Sequence, residues 1–336
     1  MPVEFSTTGF CPAFQGAAVT RESEALGFDV QMFGENHSMA ADIFGEMRAA
    51  ADATRAIRLL CGPVNFVTRD PGVVASAIAP IQCASDGRAI CGVARGDSAV
   101  AMAGRAPQRQ ADLDRDLGYL RTYLTRGTVS FSDRESRLEW IGERPYTPVP
   151  IELVCSGPRA IALAARVADR IGLSVGASPD RVRWALAIID RTLDEVGRSR
   201  DDVVIGAFLP VALADDRASG RAALRGRVAG WAHMSSFRGI DLSLQPPVLR
   251  RATEKLRRGY DYRYHRADVP AENPNTRLID DDFADWFGVG GPPSYIVDRL
   301  GELTELGVRS FGTALGGAER ERFARDVMPA VRALAS

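Results

Sequence analysis

Three short segments hold side chains that can do chemistry. In GFDVQMFGENHS an apolar run, Val30, Met32 and Phe33, ends in Glu35, Asn36 and His37. Glu35 or His37 can carry a proton there, and the imidazole is the better tuned near neutral pH. Asn36 can hydrogen-bond but cannot exchange a proton. In GRAICGVARGDSAVAMAGRAP the glycines Gly92, Gly96 and Gly104 admit a ligand close to the backbone. Arg95, followed by Gly96 and Asp97, offers a charged fork for phosphate. In CSGPRAIALAARVADR a strand-like run stops at Cys155, and Ser156 and Gly157 lead into Pro158, a residue suited to a first helical turn. Exposed amides at such a turn bind anions, and Arg159 adds a charge. Each segment alone has an ordinary alternative: a solvated turn, a flexible glycine loop, a plain strand-to-helix connection.

These segments recur at one place in a repeating pattern: apolar run, loop, amphipathic stretch. Strands are predicted at 3–8, 30–33, 57–65, 89–93, 151–154, 171–175, 203–212 and 308–314. Helices are predicted at 16–26, 42–53, 71–83, 107–125, 159–168, 179–196, 293–306 and 320–335. Eight strand–helix units predict an α/β fold: one (β/α)₈ TIM barrel over residues 1–336, with the chemistry at the carboxyl ends of its strands. A doubly wound open sheet is the rival, but no G-x-G-x-x-G opens the chain. Two stretches break the rhythm. Residues 127–150 alternate and are rich in turn formers, which predicts a hairpin. Residues 214–287 form a long insertion between the seventh strand and its helix, expected over the catalytic face. There Tyr260, Tyr262 and His265 are candidate substrate contacts, with a packing-only lid as the alternative.

Composition narrows the function. Lys+Arg total 42 and Asp+Glu 43, for a net charge of −1, which gives no basic surplus for nucleic acid. Hydrophobic residues make up 46% of the chain, enough for a large core, yet no run of 18 apolar residues suggests a membrane span. The five cysteines, Cys11, Cys61, Cys83, Cys91 and Cys155, include no C-x-x-C pair. They read as small hydrophobes of a reducing cytoplasm, with no metal site and no disulfide framework. The opening MPVEFSTTGF lacks a signal pattern.

Taken in order, ALGFDVQMFGENH, TRAIRLLCGPVNFVTRDPGVVASAIAPIQCASDGRAICGVARGDSA, VPIELVCSGPRAIALAARVADRIG and VGGPPSYIVDRLGELTELGVRSF resemble the bacterial luciferase-like oxidoreductases over nearly the whole chain. Within them the chain is most similar to the methylenetetrahydromethanopterin reductase-like branch. That resemblance implies an oxidoreductase using the deazaflavin coenzyme F420, with FMN as the alternative, on a small-molecule substrate. It also implies a homodimer, for which Met39, Ile43 and Met47 are the apolar side chains a monomer would expose. By the same resemblance, Glu35 matches the family's acidic residue after strand two, and His37 matches the second histidine of the monooxygenase version. Gly62, Pro63, Val64 and Asn65 match a bulge that backs the ring, with a cis Gly62–Pro63 bond expected. Arg95, Gly96 and Asp97 match a cofactor-edge loop, and Ser156, Gly157, Pro158 and Arg159 match the phosphate loop. Two departures stand out: Asn36 where histidine is usual, and Arg170 where glycine is usual. The readings carried forward are an F420-dependent hydride-transferring oxidoreductase, an FMN-dependent luciferase-like monooxygenase, and a non-catalytic flavin-binding barrel. A sugar-phosphate barrel enzyme is a further alternative.

Overall fold

The computed structural model describes residues 2–234, 247–265 and 273–335. In chain order the elements begin with β1 (Glu4–Thr7), α1 (Gly16–Ala25), β2 (Val30–Phe33), α2 (Ile43–Ala53), β3 (Arg58–Val64), α3 (Pro71–Ala84) and β4 (Ala89–Val93). They continue with α4 (Ser98–Met102), α5 (Gln110–Leu124), β5 (Val129–Ser130), β6 (Glu135–Ser136), β7 (Ile151–Cys155), α6 (Pro158–Val167), β8 (Arg170–Leu173) and α7 (Pro179–Val196). Next come β9 (Val204–Phe208), β10 (Val211–Leu213), α8 (Arg217–Met234), α9 (Pro247–Gly259), α10 (Asp281–Phe287), β11 (Val289–Gly291) and α11 (Pro293–Glu305). β12 (Ser310–Thr313), α12 (Gly317–Asp326) and α13 (Met328–Leu334) complete the chain.

Eight strands close into a barrel in the order β1-β12-β9-β8-β7-β4-β3-β2, the expected architecture. The paired strands run parallel. Parallel strands wrapped in helices are buried on both faces and so read as continuous apolar runs. Both β2 and β4 are buried at every position.

The chain divides into two compact units. One comprises 8–154 with 167–170; the other comprises 1–7, 155–166 and 171–336. In the first unit, helices start where short polar side chains cap them. Asp42 accepts from the Phe44 amide at 3.0 Å to open α2, and Asp70 accepts from the Gly72 amide at 2.8 Å to open α3, with Pro71 in its first turn. The turn-rich stretch after α5 forms the antiparallel pair β5–β6. In the second unit, α7 ends at Gly197, whose φ of 69° is the left-handed cap.

The long insertion is mainly helical. Beside the barrel, β10 pairs with β11 in parallel, and α8, α9 and α10 enclose a core that includes Leu224, Val228, Leu249, Leu256, Phe283 and Phe287. Part of the segment read as an insertion, 235–246 and 266–272, lies outside the described residues. One expectation is corrected. Met39, Ile43 and Met47 are buried within the chain itself, so they present no apolar face to a second copy. Arg170, the departure from the family's usual glycine, opens β8 and, almost fully buried, pairs with equally buried Glu152 at 2.8 Å. Among the described residues no helix is long and apolar enough to cross a membrane.

Candidate active site

In the first unit, the carboxyl end of β2 delivers Glu35, Asn36 and His37 into three different environments. Glu35 has a side chain only 7% exposed. Its Oε1 accepts from Arg69 Nε, while Oε2 is buried without a hydrogen-bond partner. Burial pushes the Glu35 carboxyl above its ordinary range, and the facing Arg69 guanidinium only partly offsets this. A carboxyl held this way can keep or release a proton at an open oxygen.

Asn36 is buried and its amide is committed within the protein. Nδ2 donates to Ser98 Oγ at 3.1 Å and to Met102 Sδ at 3.4 Å, and Oδ1 accepts from the Ser38 amide at 2.9 Å. It ties α4 to the end of β2. His37 lies exposed in the following turn. Of the two candidate proton carriers, the protein encloses Glu35 and leaves His37 exposed.

At the end of β3 the register against β4 shifts between Cys61 and Val64, which is the expected bulge. The Gly62–Pro63 peptide is cis, as expected. Gly62 has φ 92°, and a Cβ there would lie 2.0 Å from the Val64 amide, so only glycine fits. Asn65 follows, buried. Its Oδ1 accepts from the amides of Val67 and Thr68 at 3.1 and 3.0 Å, fixing the loop toward α3. Arg95 is exposed, and its Nε donates to the Gln108 carbonyl at 2.8 Å. That bond closes the loop holding Gly96 and Asp97, so Arg95 holds a loop as well as presenting charge. Beside this region a cavity of about 520 Å³ is lined in part by Phe66, Thr68, Arg69, Tyr119, Tyr123 and Phe131. Its size suits a small organic ligand.

In the second unit, Ser156 and Gly157 follow β7 and lead into α6 at Pro158. The Ile161 amide bonds back to the Gly157 carbonyl at 2.9 Å, leaving first-turn amides without helical acceptors. A Cβ on Gly157 would meet nothing within 4 Å. Arg159 is exposed and has no ion pair or hydrogen bond among the described residues. Open amides, a hydroxyl and an uncommitted guanidinium are what a phosphate-bearing group needs, so the residues present fit one.

Tyr260, Tyr262 and His265 do come together, around a histidine that sequence reasoning missed. His233 stacks on Tyr260 with centroids 3.7 Å apart, and its Nε2 lies 2.6 Å from Tyr262 Oη. Tyr260 Oη lies 2.5 Å from His265 Nδ1. Both hydroxyls are thus committed to histidines. The cluster is a knot within the insertion. Sequence reasoning also missed Arg69 and Asp42, which it had treated as loop and helix-start residues. Among the described residues no group of His, Cys, Asp or Glu is placed to hold a metal ion.

The closed parallel barrel is shared with known proteins. The chain belongs to the luciferase-like monooxygenase family, whose profile matches residues 13–310. A 5,10-methylenetetrahydromethanopterin reductase of Archaeoglobus fulgidus is 27% identical over 297 residues, 85% of each chain. An F420-dependent glucose-6-phosphate dehydrogenase of Microbacterium testaceum is 24% identical over 275 residues, 78% of this chain and 74% of its own. The fold matches the solved coenzyme F420 dependent tetrahydromethanopterin reductase of Methanopyrus kandleri with a TM-score of 0.74, at 20% identity, over 98% of this chain and 99% of that one.

Proposed function

We propose that this chain is an F420-dependent oxidoreductase that moves a hydride between the deazaflavin and a small organic substrate. The observation that carries the reading is the buried Glu35 carboxyl, which has one oxygen without a partner in a family whose relatives include F420-dependent reductases and dehydrogenases. When bound, F420 supplies two-electron hydride chemistry; the protein supplies binding, orientation and the companion proton. The Ser156–Gly157 backbone and Arg159 hold the phosphate. The Gly62–Asn65 bulge backs the ring, as the resemblance implies. Glu35 Oε2 gives or takes the proton that accompanies hydride movement. The resemblance also supports a homodimer, which light scattering at micromolar concentration tests; a monomer there removes it.

Titrating the purified chain with F420 and with FMN side by side tests the cofactor reading. F420 is expected to bind and to be turned over with a substrate. Tight FMN binding without F420 binding overturns this in favour of the monooxygenase reading. Arg159→Ala should weaken F420 binding by about 1.5–3 kcal/mol, the worth of one charge-assisted hydrogen bond. Unchanged affinity in that variant, read by calorimetry, removes the 156–159 turn as the phosphate site.

A further inference from the structure

We propose that Arg69, held from its far side by Asp42, is the positioning residue that sets the proton affinity of Glu35. The proposal rests on Glu35 as the proton carrier, but its decisive measurement needs neither cofactor nor turnover.

One guanidinium stands between two carboxylates. Arg69 Nε donates to Glu35 Oε1, and Arg69 Nη2 donates to Asp42 Oδ2 at 2.8 Å. The guanidinium carbon sits 5.2 Å from the centre of the Phe44 ring, which lies in the first turn of α2 and limits where the cation can go. The two acids are not equivalent. The Asp42 side chain is 58% exposed, so water screens its charge, whereas that of Glu35 is 7% exposed. Asp42 is also the cap of α2, accepting from the Phe44 amide at 3.0 Å, where a helix start favours an anion. Although burial works against it, Arg69 and the helix amides hold Asp42 below its ordinary range. Asp42 therefore stays ionised and takes a share of the only cation present in this triad.

The deficit falls on Glu35. A single positive charge divided between two anions cannot fully compensate the buried one, and Glu35 has an oxygen to which a proton can add. The charged or titratable groups acting on Glu35 are Arg69 after β3, Asp42 at the start of α2, and His37 in its own turn; Cys61 on β3 is in turn acted on by Glu35. Burial keeps the Cys61 thiol neutral, so it adds no charge. Arg69 and His37 favour the carboxylate and Asp42 favours the acid, with burial on the side of the acid.

A group that merely braces the loop would move Glu35 in one direction, or not at all, whichever partner is removed. A shared cation makes the two substitutions act oppositely. The test is a carbon-13 titration of the Glu35 side-chain carboxyl in the full ligand-free chain, with the resonance assigned by its loss in Glu35→Gln. Removing the cation with Arg69→Met should raise the midpoint by about 1–3 pH units. Asp42→Asn keeps an acceptor for the Phe44 amide and frees Arg69 for Glu35 alone, so the midpoint should fall. Arg69→Lys should return it most of the way to wild type. Midpoints that move together, or do not move, overturn the proposal. If Arg69→Met does not fold, Asp42→Asn and Arg69→Lys still decide. If Glu35→Gln leaves turnover intact while the midpoints move as stated, the proton-carrier reading fails and Arg69's control of Glu35 stands.

Discussion

At the scale of single residues, the most informative contrast is between adjacent positions that the fold treats differently. Glu35 is enclosed and His37 is exposed, although both follow the same strand. Glu35→Gln should therefore lower turnover by about 10²–10⁴, the usual cost of losing a general acid or base. His37→Ala should keep turnover within about tenfold of wild type. Single-turnover kinetics on both variants checks this, and a reversed pattern moves the role back to the histidine. The acid also leaves a mark on stability. Because burial raises its carboxyl above the ordinary range in the folded chain, the native state holds a proton that the unfolded chain has released. The resulting stabilisation is complete below the ordinary glutamate value of about 4.3. It is lost as pH rises through the higher folded value. Denaturant titrations across that window should show stability falling in the wild type, beyond the trend in Glu35→Gln; parallel curves contradict the raised carboxyl. Glu35 was legible because a polar cluster ending an apolar run marks the carboxyl end of a strand. Its partner Arg69 lies 34 residues away in a loop, and no local pattern announces such a pairing.

At the scale of elements, the barrel strands were legible because each is a short apolar run bounded by turn residues. Pro179–Val196 was read as a helix at the same limits, since proline opens it and a left-handed glycine closes it. What escaped were the insertion helices α8 and α9 and elements too short to show a period. α4 has five residues, and β10 and β11 have three each and pair only because the insertion returns between them. The departure at Arg170 was likewise illegible as structure. Its partner Glu152 is on the neighbouring strand, and no local pattern pairs the two residues. The pair predicts a stability effect without a binding effect. Arg170→Ala leaves the Glu152 carboxylate buried without its cation and should cost about 3–5 kcal/mol. Equilibrium denaturation measures this, and calorimetry on the folded fraction should show unchanged cofactor affinity. Weakened binding at full stability would instead place Arg170 at the cofactor site.

At the scale of the whole molecule, closing a barrel makes the chain's beginning and end neighbours, and the sequence alone carries this only through the count of eight strands. β1 and β12 pair in parallel from Glu4 with Ser310 to Thr7 with Thr313. The side chain that seals this seam is Phe5, fully buried. Its ring lies 6.0 Å from that of Phe311 on β12 and 5.7 Å, edge-on, from that of Phe323 on α12. The guanidinium of Arg332 on α13 sits 5.4 Å from its centre. One residue near the start of the chain thus packs against a strand and two helices contributed by its last 27 residues, 310–336. Offset and edge-on ring contacts add to the area such a side chain buries. Phe5→Ala should therefore cost about 3–5 kcal/mol, the range for emptying an aromatic site in a packed core. The loss should appear as a lower denaturant midpoint with an unchanged slope if the seam belongs to the same cooperative unit as the rest. A loss below about 1 kcal/mol would mean that neighbouring side chains close the space, and that the first strand does not lock the barrel.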